Sequence, residues 1–226
     1  EREDRLFTPA LLAVLAAQFR SALADNALLI PAILLVKKLS GTDEWVPWLQ
    51  ASFVLPYIVL AAVLGPFADS LPKGRVMLIA NNIKVVAGLA MTGTLLLAAP
   101  PAWLPLLAYA LAGVGAAIYS PAKYGILTQL CGPALLVKAN GAMEGSTIVA
   151  ILLGVLAGGW LADHSLNTAL WVIAACYTAA TLLTLLIPKL PPEHPLEHLH
   201  PARLMRDFLQ ALTTLFRDPW ARLSLL

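Results

Sequence analysis

Charge is what this sequence has least of. Only 12% of its 226 residues are Asp, Glu, Lys or Arg, about half the share of an ordinary soluble domain. Hydrophobic residues make up 59%, and the mean hydropathy is +0.78. Such a chain has lipid as its solvent. The formal net charge of +2 is too small to point to a nucleic-acid partner, and no basic tract is interleaved with aromatics.

Other absences narrow the field. The two cysteines, Cys131 and Cys176, lie in different segments, so no disulfide framework is expected. No Walker loop, Gly-rich nucleotide motif or nucleophile elbow occurs, which speaks against an enzyme, an ATP-driven pump or a bound cofactor. His194-Pro-Leu-Glu197-His198 has the H-x-x-E-H spacing, but Pro195 breaks the helical face that zinc would need, so no metal site is expected. No cleavable signal peptide is visible, because the first apolar run is too long and contains Arg20 and Asp25. The chain opens on Glu1 and stops at Leu226 with an apolar run just beginning, and it reads as an internal piece of a longer protein.

What is present is a series of long apolar runs. Thr8-Pro9 is a helix start, with a capping hydroxyl and a proline where no N–H is needed. Span 1 then runs to Val36, span 2 from Val46 to Ala68, span 3 from Val76 to Ala99 and span 4 from Ala102 to Leu130. Span 5 covers Met143 to Ala162 and span 6 Thr168 to Ile187. Each can cross a hydrocarbon core of ~30 Å, which takes about 20 helical residues. The expected fold is an all-α membrane bundle of six helices over residues 1–188. A proline-broken cytoplasmic linker follows at 189–219, where Leu204, Phe208, Leu212 and Leu215 recur at the spacing of a surface-lying amphipathic helix. Asp218-Pro219 then opens a seventh span at 220–226.

Basic residues set the orientation. The ends assigned to the cytoplasm carry Arg2 and Arg5, then Lys73, Arg75 and Lys84, then Lys123 and Lys138, then Lys189, Arg203 and Arg206. The opposite ends carry only Lys37 and Lys38. The N-terminus is therefore expected inside. Span 2 ends Gly65-Pro-Phe-Ala-Asp69 and span 5 ends Gly159-Trp-Leu-Ala-Asp163. These are equivalent positions if spans 1–3 and 4–6 are repeats of opposite topology.

Three polar insertions interrupt the apolar runs. Asp25-Asn26 lies ~24 Å along span 1 from Pro9, where a charge costs roughly 2.5–3.5 kcal/mol. Gln18, Ser21 and Asp25 form one stripe, which either lines a wet path or glues span 1 to a neighbour. Arg20 is on another face. The second insertion, Tyr119-Ser-Pro-Ala-Lys-Tyr-Gly125, has Pro121, which should kink or break the helix. Lys123 is ~31 Å from Ala102 by helical rise, near the cytoplasmic edge. It either serves a ligand or snorkels to the interface.

In the third insertion Asn140, Glu144 and Thr147 share a face at the opening of span 5. Lys123 and Glu144 then balance each other, as a structural ion pair or around a zwitterionic ligand, cation to phosphate and carboxylate to amine. Gly141 with Gly145, and Gly154 with Gly158, have the spacing of close helix packing. Between spans 2 and 3, Gly65, Asp69, Lys73, Gly74 and Arg75 pair a carboxylate at a helix C-terminus with compensating cations.

That last segment resembles the signature loop of the major facilitator superfamily, G-x-x-x-D…G-R, with Ser70 at the usual arginine and about one extra residue. More narrowly, four stretches resemble the bacterial lysophospholipid transporter family. They are Ala24 to Leu29, Ala68 to Met77, Tyr119 to Leu127, and Val137 to Glu144 followed by Ser146 to Gly154. The resemblance implies the N-terminal half of a twelve-span inner-membrane carrier with a 3+3 inverted repeat. Such a carrier moves lysophospholipid, chiefly lysophosphatidylethanolamine, to the cytoplasmic leaflet, where an acyltransferase re-acylates it. It implies a path lined by Asp25 and Asn26, with Tyr119, Asn140 and Thr147 beside it, and a headgroup handled by Lys123 and Glu144. It also implies a loop at Asp69–Arg75 that latches against the C-terminal half. A drug or metabolite carrier of the same superfamily and a membrane scaffold for an acyltransferase are the rival readings.

Overall fold

Thr8 and Pro9 start the first helix as their chemistry predicts: the Thr8 hydroxyl accepts from the Leu11 N–H at 3.2 Å, and Pro9 takes the first helical position. In the computed structural model, residues 6–192 are described. The linker helix at Leu204–Leu215, the seventh span and the His194–His198 motif lie outside them. The helices are α1 (Pro9–Ala27), α2 (Leu29–Ser40), α3 (Trp45–Ser70), α4 (Lys73–Gly93), α5 (Trp103–Leu130), α6 (Pro133–His164) and α7 (Leu166–Thr184), with a 3-10 turn at Thr94–Leu96 after α4. Among the described residues, six helical stretches are long and apolar enough to cross a membrane, α1 and α2 together making the first.

Span 1 is not the single helix that its apolar run suggests. Pro31 has no N–H to offer the Ala27 carbonyl, and the helix is interrupted at Leu28. Pro121 was expected to kink or break α5, yet the helix is continuous from Trp103 to Leu130. Transmembrane helices accept proline when nearby groups take over the freed backbone; the carbonyl that Pro121 frees is that of Ala117. Span 5 begins ten residues earlier than its apolar composition implied, at Pro133. Asn140 and Glu144 therefore sit within α6 rather than at its opening.

The packing follows the expected repeat. The most extensive helix contacts are α4 with α5, α3 with α5, α1 with α6, α4 with α7, and α1 with α7. Exchanging spans 1, 2 and 3 for spans 4, 5 and 6 maps α1·α6 onto α3·α5 and α1·α7 onto α4·α5, and leaves α4·α7 in place. The repeated Asp69 and Asp163 are each the penultimate residue of their helix. The bundle has the architecture of the N-terminal six-helix half of a major facilitator fold.

Lipid tails give helices no hydrophobic reason to associate, so close van der Waals approach has to supply it. A Cβ on Gly154 would lie 2.6 Å from the Leu23 carbonyl oxygen of α1, and one on Gly158 would lie 2.2 Å from that of Ala27. The carbonyl that Pro31 leaves without a helical partner thus rests on Gly158. On the other side of the bundle, Gly113 of α5 lies against the Phe53 backbone of α3. Gly141 and Gly145 do not pack as their spacing suggested; a Cβ on either would meet nothing within 4 Å. The spacing is the same, but they project from α6 on a face that no described helix covers.

The interior is layered. One apolar cluster includes Leu28, Leu35, Leu49, Met91, Tyr109 and Leu170. The other includes Leu11, Val14, Met77, Ile126, Leu127 and Met143. Between them α1 and α4 contribute Gln18, Ser21, Asn81 and Lys84, all buried. A polar belt therefore crosses the middle of the bundle.

Candidate functional site

The belt is organised around one ion pair. Lys84 donates to Asp25 Oδ2 at 2.6 Å and to Ser21 Oγ at 2.9 Å. The other Asp25 oxygen, Oδ1, accepts from the Tyr177 hydroxyl at 2.9 Å. Ser21 in turn donates to Asn81 Oδ1, and Asn81 Nδ2 donates to Thr184 Oγ1, each at 2.9 Å. Spans 1, 3 and 6 are joined by this chain. The Asp25 carboxylate is compensated from two sides, which removes most of the cost of burying it.

Lys84, expected among the cytoplasmic-end charges that fix orientation, does not lie at a helix end. It is 2% exposed and midway along α4. The rule that singled out Asp25, a charge deep inside an apolar run, applies to it equally. Its stem needs room on α5, and Gly115 provides it: a Cβ there would lie 2.6 Å from Lys84 Cγ. Gly88 does the same for Tyr177, at 3.1 Å from the ring.

Beside the pair is a cavity of about 220 Å³. Asp25, Asn26, Tyr119, Lys123 and Thr147, all named from sequence, line it, as do Gln18, Lys84, Tyr57, Tyr109 and Ser120. Gln18 donates to Thr147 at 3.0 Å and so ties α1 to α6. Asn26 turns its amide onto the Ala22 carbonyl at 2.8 Å. Tyr119 is 3% exposed, carries Lys84 Nζ 5.1 Å from its ring centroid, and has a hydroxyl without a hydrogen-bond partner.

Lys123 does not snorkel. Its ammonium is buried, 3.5 Å from Glu144 Oε1 and 4.7 Å from the centroid of the Tyr124 ring. Tyr124 itself donates to Glu144 at 2.7 Å. Helical rise along α5 placed Lys123 near the membrane edge, whereas it shares the Asp25 cavity. Glu144 is half-exposed and reaches the cavity only through Lys123. Asn140 is not among the cavity residues and satisfies itself on the Leu136 carbonyl at 3.1 Å. Tyr124 and Tyr177 were missed from sequence because a tyrosine in an apolar helix carries no signal of what its hydroxyl meets.

At one end of the bundle, Lys73 is buried and forms an ion pair with Asp69 across the turn between α3 and α4. It crosses α5 at Gly125, where a Cβ would lie 2.8 Å from Lys73 Cε. A Cβ on Gly74 would lie 3.3 Å from Ile187, Gly65 faces open space, and Arg75 is exposed. Arg20 is also exposed, away from the cavity. No group of three or more His, Cys, Asp or Glu residues able to hold a metal is found among the described residues.

Comparison with known proteins gives consistent matches. The model of the Major Facilitator Superfamily matches residues 11–226. The lysophospholipid transporter LplT of Serratia proteamaculans is 46% identical over 99% of this chain and 54% of the relative. That of Yersinia enterocolitica is 47% identical over 97% of the chain and 52% of the relative. The Klebsiella pneumoniae protein is 45% identical over 98% and 54%. The chain spans about half the length of these curated relatives.

Proposed function

Because the chain belongs to the major facilitator superfamily, we propose that it is the N-terminal half of a carrier for lysophospholipid, chiefly lysophosphatidylethanolamine. The carrier moves its substrate across the bacterial inner membrane to the cytoplasmic leaflet by alternating access. The observation that carries this reading is a polar cavity of about 220 Å³ inside an otherwise apolar bundle, with both a carboxylate and ammonium groups on its wall. A zwitterionic headgroup is the ligand such a wall complements, while the acyl chain stays with apolar surface. The names of the relatives point to the same substrate class.

In this reading Asp25 and Asn26 line the path, Lys123 meets the phosphate and Glu144 the amine. A second six-helix half closes over the cavity. Asp69 and Arg75 latch to that half, with Lys73 holding Asp69 from within and Gly65 and Gly74 leaving room for the approach. The bundle end bearing Lys73, Arg75, Lys138 and Lys189 faces the cytoplasm, so the N-terminus is inside and the product reaches the leaflet where an acyltransferase partner works.

The test is lysolipid flipping in proteoliposomes containing both halves. In proteoliposomes matched for folded protein, Asp25→Asn is expected to lose nearly all flipping. Glu144→Gln is expected to slow lysophosphatidylethanolamine about tenfold, the scale of one charge-assisted hydrogen bond, and lysophosphatidylglycerol much less. Flipping at the wild-type rate by the Asp25 variant, or no flipping of either lysolipid by the wild type, would sink the reading.

A further inference from the structure

We infer that the Tyr119 hydroxyl, acting with the Lys123 ammonium, is the subsite that takes the phosphodiester of the headgroup. This rests on the functional reading above and adds a specificity-determining residue to it. Tyr119 is 3% exposed and lines the cavity, and its hydroxyl has no partner. A buried hydroxyl left without a partner is costly and rare in a native interior. Several polar neighbours on the wall have spent their donors elsewhere. Both oxygens of Asp25 are taken, by Lys84 and Tyr177. Gln18 donates to Thr147, Asn26 to Ala22, and Lys84 to Asp25 and Ser21.

Tyr119 and Lys123 offer a neutral donor and a loosely held cation side by side. Lys123 is 3.5 Å from Glu144, its carboxylate contact among the described residues, which leaves room for a better acceptor. Tyr119 and Lys123 are four residues apart on one continuous helix, so they project from the same face. The cavity wall carries one carboxylate, Asp25, against two ammoniums, Lys84 and Lys123. That surplus on the wall favours the phosphodiester there, with the amine left to Glu144 beyond Lys123. A phosphodiester offers two non-bridging oxygens, one for each donor. Asp25 then acts mainly as the anchor of Lys84.

A consequence for specificity follows. The phosphodiester is common to zwitterionic and anionic lysophospholipids, so Tyr119 should read the lysophospholipid class rather than the headgroup amine. The test measures binding to the protein with both halves in nanodiscs, using lysophosphatidylethanolamine, lysophosphatidylglycerol, monoacylglycerol and inorganic phosphate. Tyr119→Phe is expected to weaken both lysophospholipids by about tenfold, the scale of a hydrogen bond to a charged group. Its Tm should stay at the wild-type value, since the hydroxyl has no partner to lose. Lys123→Gln is expected to weaken both lipids in parallel, and monoacylglycerol should bind poorly to every variant.

Unchanged affinity in Tyr119→Phe would overturn the assignment, as would a loss confined to the ethanolamine lipid. Displacement of lysolipid by an equal concentration of inorganic phosphate would show a free-anion site and also overturn it. Failure of the wild type to bind either lysophospholipid would instead remove the functional reading on which the inference rests.

Discussion

Lys84→Met is expected to leave little folded protein in the membrane and to lower the Tm of what remains. Lys84 is 2% exposed and its partner Asp25 has a side chain 14% exposed, at 2.6 Å. Removing one member strands the other charge between two apolar clusters, a loss of about 3–5 kcal/mol for a buried pair. Asp25 would keep its bond from Tyr177, but a neutral hydroxyl does not neutralise a carboxylate. The informative comparison is the double variant Asp25→Asn, Lys84→Met. Removing both charges costs far less than removing one, so the double variant should recover most of the folded yield while remaining inactive. Thermal unfolding in detergent, followed by size-exclusion fluorescence, reads both. A single variant as stable as wild type, or a double variant no better than the single, would show that the pair does not hold the belt together.

Gly158→Val should be comparably damaging, whereas the neighbouring Gly159→Ala should be close to silent. The first side chain would place a carbon 2.2 Å from the Ala27 carbonyl oxygen, while the second would meet nothing within 4 Å. No rotamer relieves a clash between a Cβ and a backbone atom, so α6 and α1 must separate, and the Gln18–Thr147 bond between them goes too. Overpacking of this kind usually costs 1–3 kcal/mol, and about the upper end is expected where backbone is struck. The pair of substitutions is its own control, because both change one glycine in the same turn of one helix. A stable Gly158→Val protein would mean that span 1 does not sit against span 5 as described.

Much of this was legible in the sequence. Composition determines that the chain lives in lipid, and the length of its apolar runs determines six spans, because the hydrocarbon thickness and the helical rise are fixed quantities. Asp25 stands out for the same reason: a charge far from either end of an apolar run cannot reach water. The repeat was visible in Asp69 and Asp163, since equivalent helix ends keep equivalent residues. Glycine spacing pointed to close packing but could not say which pair packs. Gly154 and Gly158 meet α1, whereas Gly141 and Gly145 meet nothing.

The returning surprise is the ion pair around which the belt is built. Asp25 and Lys84 are 59 residues apart in the chain, and Asp25 and Tyr177 are 152 apart. Helical periodicity gives depth along a span and a direction around its axis, but not which helix stands opposite. Lys84 therefore looked like an orientation charge, and Lys123 stayed open between a ligand and the interface, until neighbouring helices closed over them. Sequence by itself determined which spans carry polar residues and, for Asp25, that its charge lies deep within its span. Only the tertiary structure decided which charges meet, because a buried charge takes its partner from whichever span packs against it.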